Sequence, residues 1–172
     1  MRTSTETITS WALSVLGLAA VVAVAAGCRL PFVGESVTVE DENPALAAAF
    51  DRVRDTRGTA RLGDVVTDSK IGIGAWDRMY SFYSPVSEDK VNATLGTEDL
   101  EWRGLPQDSD SAIQVFVLNG KVVYAFDDKL PRHSVRAKKY ATPDSVVRAR
   151  ETRQDGPLSS GPVWVLDIEE FS

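Results

Sequence analysis

The sequence predicts an α+β fold: an antiparallel sheet of about five or six strands with one or two helices packed on one face, preceded by an N-terminal apolar signal or anchor. Three observations carry that expectation. Trp11 to Ala26, WALSVLGLAAVVAVAA, is apolar and uncharged. Asn43-Pro44 precedes Leu46, Phe50 and Val53, which are spaced to share one helical face. Asn119-Gly120 lies between two apolar runs, Val115 to Leu118 and Lys121 to Tyr124, the pattern of a two-residue hairpin.

The apolar run, about 16 residues long, is short for a bilayer span and suits a signal core. Counted from Ile8 it reaches roughly 20 residues, enough to span. Ala25-Ala26-Gly27-Cys28 follows, and polarity then rises. This order resembles a bacterial lipoprotein signal, whose lipobox ends in Gly-Cys or Ala-Cys. The resemblance implies that Cys28 is lipidated and that the domain sits on the extracytoplasmic face of the cell membrane. Two acyl chains on one residue suffice for stable anchoring. The rival reading is an uncleaved single transmembrane span, since Arg2 is offset by Glu6 in the leading segment. Cys28 is the only cysteine, so no disulfide forms within the chain and the domain must be stable by packing.

These features divide the 172 residues into 1–28, a signal or anchor; 29–43, a tether with Pro31, Gly34 and the acidic run Glu40-Asp41-Glu42; and 44–172, a single domain. Without the signal about 145 residues remain, an ordinary domain size. The net charge of -6 argues against general nucleic-acid binding.

The first helix is capped by Asn43 and started by Pro44, with Gly58 expected as the left-handed residue past its end. Ala60 to Tyr83 reads as β structure punctuated by Gly63, Gly72 and Gly74. Within it Trp76, Arg78, Tyr80 and Phe82 alternate with Asp77, Met79, Ser81 and Tyr83. The aromatic face offers a platform for a ligand, although packing into a core explains it more simply. Ser87 caps a short helix with Glu88 and Asp89 in its first turn, Val91 and Leu95 on one face, and Gly96 at its end. Trp102 precedes a loop whose Asp108 and Asp110 lack the glycine and terminal glutamate of a calcium loop. The hairpin of Ala112 to Phe126 follows, ended by Asp127-Asp128.

Lys129 to Arg153 holds eight cations against Asp144 and Glu151, leaving the rest of the chain strongly acidic. Val135 to Tyr140 and Ser145 to Arg150 read as strands, although Thr142-Pro143-Asp144 also suits a helix start. If those strands pair, Arg136, Lys138, Arg148 and Arg150 share one exposed face able to meet an anionic surface. The plainer alternative is that they pair with the protein's own carboxylates. Gln154 to Pro162 reads as a loop, and Val163 to Ile168 as a terminal strand.

The run Trp76-Asp77-Arg78-Met79-Tyr80, then Val91-Asn92-Ala93-Thr94-Leu95-Gly96, Trp102 and the Asn-Gly-Lys hairpin resembles small cell-envelope proteins of Gram-positive bacteria. More distantly it is similar to one repeat of the β-lactamase-inhibitor-like fold, shared by small outer-membrane assembly lipoproteins. The resemblance covers about 50 residues. Its motifs set a fold rather than a chemistry, so no functional residue is carried over.

No constellation of catalytic residues stands out. His133 is the only histidine, and Ser134 is merely its sequence neighbour rather than an activated nucleophile. One histidine and one cysteine far apart make a poor zinc site. Gly72-Ile73-Gly74 lacks the third glycine of a dinucleotide fingerprint. Asp127-Asp128 and Glu169-Glu170 are adjacent, so on a strand each pair would point to opposite faces. The sequence therefore favours a non-catalytic cell-envelope lipoprotein, a binding or structural module that needs no cofactor and no metal. Its partners would be the membrane, through the lipid or apolar anchor, and an envelope protein, with no nucleic acid. The alternatives are a regulator or inhibitor of another envelope protein, such as a phage-encoded exclusion factor, and a single-span anchored protein.

Overall fold

The computed structural model describes residues 35–97, 100–129, 138–155 and 160–172. Cys28, His133 and Arg136 lie outside the described residues, as does the apolar N-terminal run. The elements, in order, are β1 (Ser36–Thr38), α1 (Pro44–Asp55), β2 (Thr59–Arg61), α2 (Leu62–Ser69), β3 (Arg78–Tyr83), α3 (Glu88–Leu95), β4 (Glu101–Arg103), β5 (Ser111–Leu118), β6 (Lys121–Lys129), β7 (Val146–Asp155) and β8 (Ser160–Ile168). The α+β class is therefore as expected, but the strands form three small sheets rather than one. Their orders are β1-β4, β2-β7-β8 and β3-β5-β6, and the β1-β4 pair is parallel. Among the described residues no helix is long and apolar enough to cross a membrane.

Residues 36–40 are not part of a tether. β1 pairs with β4, and Glu40 bridges Phe126, its N–H donating to the carbonyl of Ala125 at 2.9 Å. α1 forms as its cap requires: Asn43 Oδ1 accepts from the N–H groups of Ala45 and Leu46 at 3.0 and 3.4 Å. It buries Leu46, Ala49 and Phe50. Its end differs from expectation, because Arg57, with φ 52°, takes the left-handed position instead of Gly58.

α2 replaces expected β structure. Leu62, Val65, Val66 and Ser69 are all buried, at spacings of three, four and seven from the first, which is a helical stripe. Gly63 lets this helix approach the following chain closely. Its N–H donates to Pro143 at 2.8 Å, and an added Cβ would stand 3.0 Å from that same carbonyl oxygen.

The β3-β5-β6 sheet is buried on both faces, as the continuous apolar run of β5 requires. One face packs Met79, Phe116 and Phe126 against Leu46, Phe50, Leu62 and Val65 of the first two helices. The other packs Tyr80, Phe82, Ile113 and Val115 with Val91 of α3 and Trp102 of β4. Helices thus contribute to the cores on both faces, not one. Trp76 belongs to the first core, edge-on to Phe116 at 5.0 Å, and not with Tyr80 as strand alternation implied. The reason is that β3 begins only at Arg78, so alternation does not extend back to Trp76.

The hairpin forms as read, with Asn119 and Gly120 at φ 52° and 79°. β6 runs on past Asp127-Asp128 to Lys129. Asp128 is buried, which strand ends seldom tolerate, because Gln114 Nε2 donates to its Oδ2 at 3.1 Å and Ser81 Oγ donates to Gln114 Oε1 at 2.5 Å. The last hairpin is longer than predicted. β7 and β8 pair from Val147↔Ile168 to Asp155↔Ser160, through part of the stretch expected as loop.

Candidate functional site, a cationic groove with aromatic walls

β3 has a free edge at its start, and the chain returns to fill it. Lys138 adopts φ 65° and turns the chain, which the expected strand from Val135 to Tyr140 does not accommodate. Ala141 then exchanges both backbone hydrogen bonds with Met79, at 2.8 and 2.9 Å. Tyr140 does the same with Phe171, at 3.1 and 2.8 Å. These two bridges set the Tyr140 ring beside β3.

The side chains follow from that register. Arg78 lies over the Tyr140 ring, its guanidinium carbon 4.8 Å from the centroid, within cation–π range. Tyr80 stands 5.9 Å from Tyr140, and Phe82 stands 6.5 Å from Tyr80 in a stacked pair. A hydrogen bond to the Tyr80 side chain, with the electrostatic pull of that same group, holds the Arg78 guanidinium above its ordinary pKa. Arginine is charged throughout the ordinary pH range whatever its surroundings.

α3 forms the opposite wall. Its Val91 is buried in the core, while Lys90, Ala93 and Thr94, spaced three and four from the first, face the space between helix and strand. The helix is held by Trp102, 6% exposed, whose indole N–H donates to Asn92 Oδ1 at 2.8 Å. Asn92 Nδ2 in turn donates to the carbonyl of Leu100 at 2.8 Å, and Glu88 Oε1 accepts from the Trp102 backbone N–H at 3.0 Å. Ser87 caps the first turn at 3.4 Å and Gly96, with φ 70°, ends the last, both as expected.

Between these walls lies a groove of about 730 Å³. Its size is that of small-molecule sites. Arg78, Lys90 and Lys138 line it, and among the described residues no carboxylate side chain does. Val86 and Tyr83 also line the groove, and Tyr83 is 55% exposed. Lys139 reaches Ser172 Oγ at the near end. Among the described residues no three of His, Cys, Asp and Glu come together as metal ligands would.

The sequence-predicted cations are divided by this arrangement. Lys138 enters the groove. Arg148 and Arg150 lie on β7, whose two neighbours are β2 and β8, so the segment around Lys138 does not pair with it. On β8, Asp167 stands opposite Arg148 and places Oδ2 3.9 Å from Arg150 Nε. Sequence reasoning missed Arg78 as a partner of Lys138, and missed the Lys90, Ala93, Thr94 face. The helical spacing of those three was legible, but the wall they face was not. No protein-family model matches this chain, and neither does any curated protein or solved structure.

Proposed function

We propose that this chain is a non-catalytic binding module of the cell envelope, held at the membrane through Cys28, and that the groove between α3 and β3 is where it binds an anionic envelope component. The groove is the observation that supports this reading. A chain of net charge -6 gathers Arg78, Lys90 and Lys138 around one concavity without a carboxylate side chain among the described lining residues. Like charges around one concavity favour an anion as its occupant. The lipobox-like sequence before Cys28 supports its lipidation.

The two halves of the reading are tested separately. Fatty-acid labelling of the full chain expressed in a bacterium should acylate it, and Cys28→Ala should abolish the label and leave an unprocessed precursor. An intact, unacylated amino terminus in the wild type would instead mean a transmembrane anchor. For binding, native mass spectrometry of the extracted chain should show an anionic adduct that Ala93→Trp removes by filling the groove. An adduct that survives Ala93→Trp would place the binding elsewhere.

A further inference from the structure

The groove is not uniform along its length, and its asymmetry names a ligand class. β3 runs from Arg78 to Tyr83, a path of about 16 Å at the rise of an extended strand. At its start Arg78 lies over the Tyr140 ring, and Arg78 and Lys138 both line the groove and supply positive charge. At its end Phe82, Tyr83 and Val86 supply apolar surface, with Ala93 facing them from the helix. An inorganic anion would satisfy the first end and leave the second wet. An uncharged apolar molecule would satisfy the second end and leave the first with only the pull of Asp77 on Arg78. One molecule with an anionic head and an apolar body satisfies both.

We propose, resting on the reading of this chain as a binding module, that the groove binds a single-chain anionic amphiphile, its head between Arg78 and Lys138 and its body running along β3 toward Tyr83 and Val86. Carboxylate- and phosphate-headed amphiphiles share the required chemistry. Arg78 is suited to either, since a planar guanidinium offers paired donors to both groups. Its stacking on Tyr140 pre-orients it, so less side-chain freedom is lost on binding. Lys90, on the helix wall, is a rim charge that draws the ligand in more than it holds the head.

The test uses the full chain in neutral phosphatidylcholine vesicles, with photoactivatable diazirine palmitate as the carboxylate probe and its phosphate-headed analogue, a diazirine lysophosphatidic acid, as the second. Labelled peptides are mapped by mass spectrometry. Labelling should concentrate on β3 and α3, and the diazirine palmitate methyl ester should label them about tenfold less, as loss of a charge-assisted hydrogen bond implies. Arg78→Gln with Lys138→Gln should lower labelling by a similar factor, Lys90→Gln by less, and Arg52→Gln on α1, which packs into the core on the other face of the sheet, not at all. Preference for one probe over the other identifies the head group. Equal labelling by acid and methyl ester would overturn the proposal, as would label confined to residues 8–28. Competition by inorganic phosphate at the same concentration as the probe would also overturn it, leaving an anion site without an apolar subsite. Circular dichroism of each variant keeps a folding failure from passing as a loss of binding. Since acylation of Cys28 is read independently, a failed anchor and a failed ligand class give different results.

Discussion

Arg78 with Lys138, and Arg148 with Arg150, are two pairs of cations on one acidic chain, and their surroundings differ in kind. Arg148 and Arg150 point from the flat face of β7, with Asp167 opposite the first and 3.9 Å from the second. A carboxylate built into the neighbouring strand answers much of their charge, and an exposed pair of this sort contributes at most about 1 kcal/mol. Arg78 and Lys138 sit in a concavity with aromatic walls and, among the described lining residues, no carboxylate side chain. There Asp77, outside the lining, acts on Arg78. Charge density alone did not distinguish the two pairs, because both belong to basic or mixed stretches of sequence. What distinguishes them is the curvature of the surface and the register of the nearest acid.

The contrast breaks most severely if the groove loses a wall. Trp102→Ala removes a buried indole and the hydrogen bond that holds Asn92 of α3. Large aromatic truncations of this kind cost about 3–5 kcal/mol. The melting temperature should fall sharply, and hydrogen exchange should accelerate first in α3 while β7 stays protected. Uniform acceleration across the domain would mean that α3 and the β7 sheet open as one unit.

A smaller effect is expected at the hairpin of the sheet to which β3 belongs. Gly120 has φ 79°, and a side chain there costs roughly 1 kcal/mol or more. Gly120→Val should lower the melting temperature by a few degrees and leave labelling of the groove intact. Loss of groove labelling without loss of stability would show that the hairpin acts on the site directly.

The β7 pair can be sharpened by taking away its internal acid. Asp167→Asn should raise co-sedimentation of the full chain with anionic over neutral vesicles, by up to about 1 kcal/mol for each cation released, and Arg148→Glu with Arg150→Glu should reverse that gain. The difference should shrink in high salt, where screening shortens to about 3 Å at 1 M. No response to Asp167→Asn would mean that the two arginines are already fully available.

The smallest effect concerns pH. Burial, with a further contribution from Glu40, raises the Tyr124 phenol above its ordinary pKa of about 10. The neutral phenol is therefore favoured in the folded state. Its contribution to stability is fully present below the unfolded pKa and is lost as pH rises toward the raised folded value. Tyr124→Phe should flatten the alkaline limb of the stability curve and leave the neutral region nearly unchanged. An alkaline limb as steep as in the wild type would assign the titration to another group.

Local chemistry was enough to specify several pieces of this protein from its sequence. Asn43 and Ser87 accept backbone N–H groups wherever a helix begins, Gly96 and Asn119-Gly120 tolerate positive φ wherever a chain must reverse, and Leu46, Phe50 and Val53 share a face at any helical pitch. None of these depends on what lies across the fold. α2 was also legible as a stripe of Leu62, Val65, Val66 and Ser69, but Gly63 within it and Gly72 and Gly74 beyond it suggested β structure instead. The division into three sheets, the return of Tyr140 to the edge of β3 and the meeting of Arg78 with Lys138 were decided only in three dimensions. They rest on pairings between residues some 60 positions apart, such as Met79 with Ala141, whose backbone donors and acceptors are the same for every residue type. Which acid faces which cation depends on strand register, and a one-residue slip would carry Asp167 to the other face of its sheet.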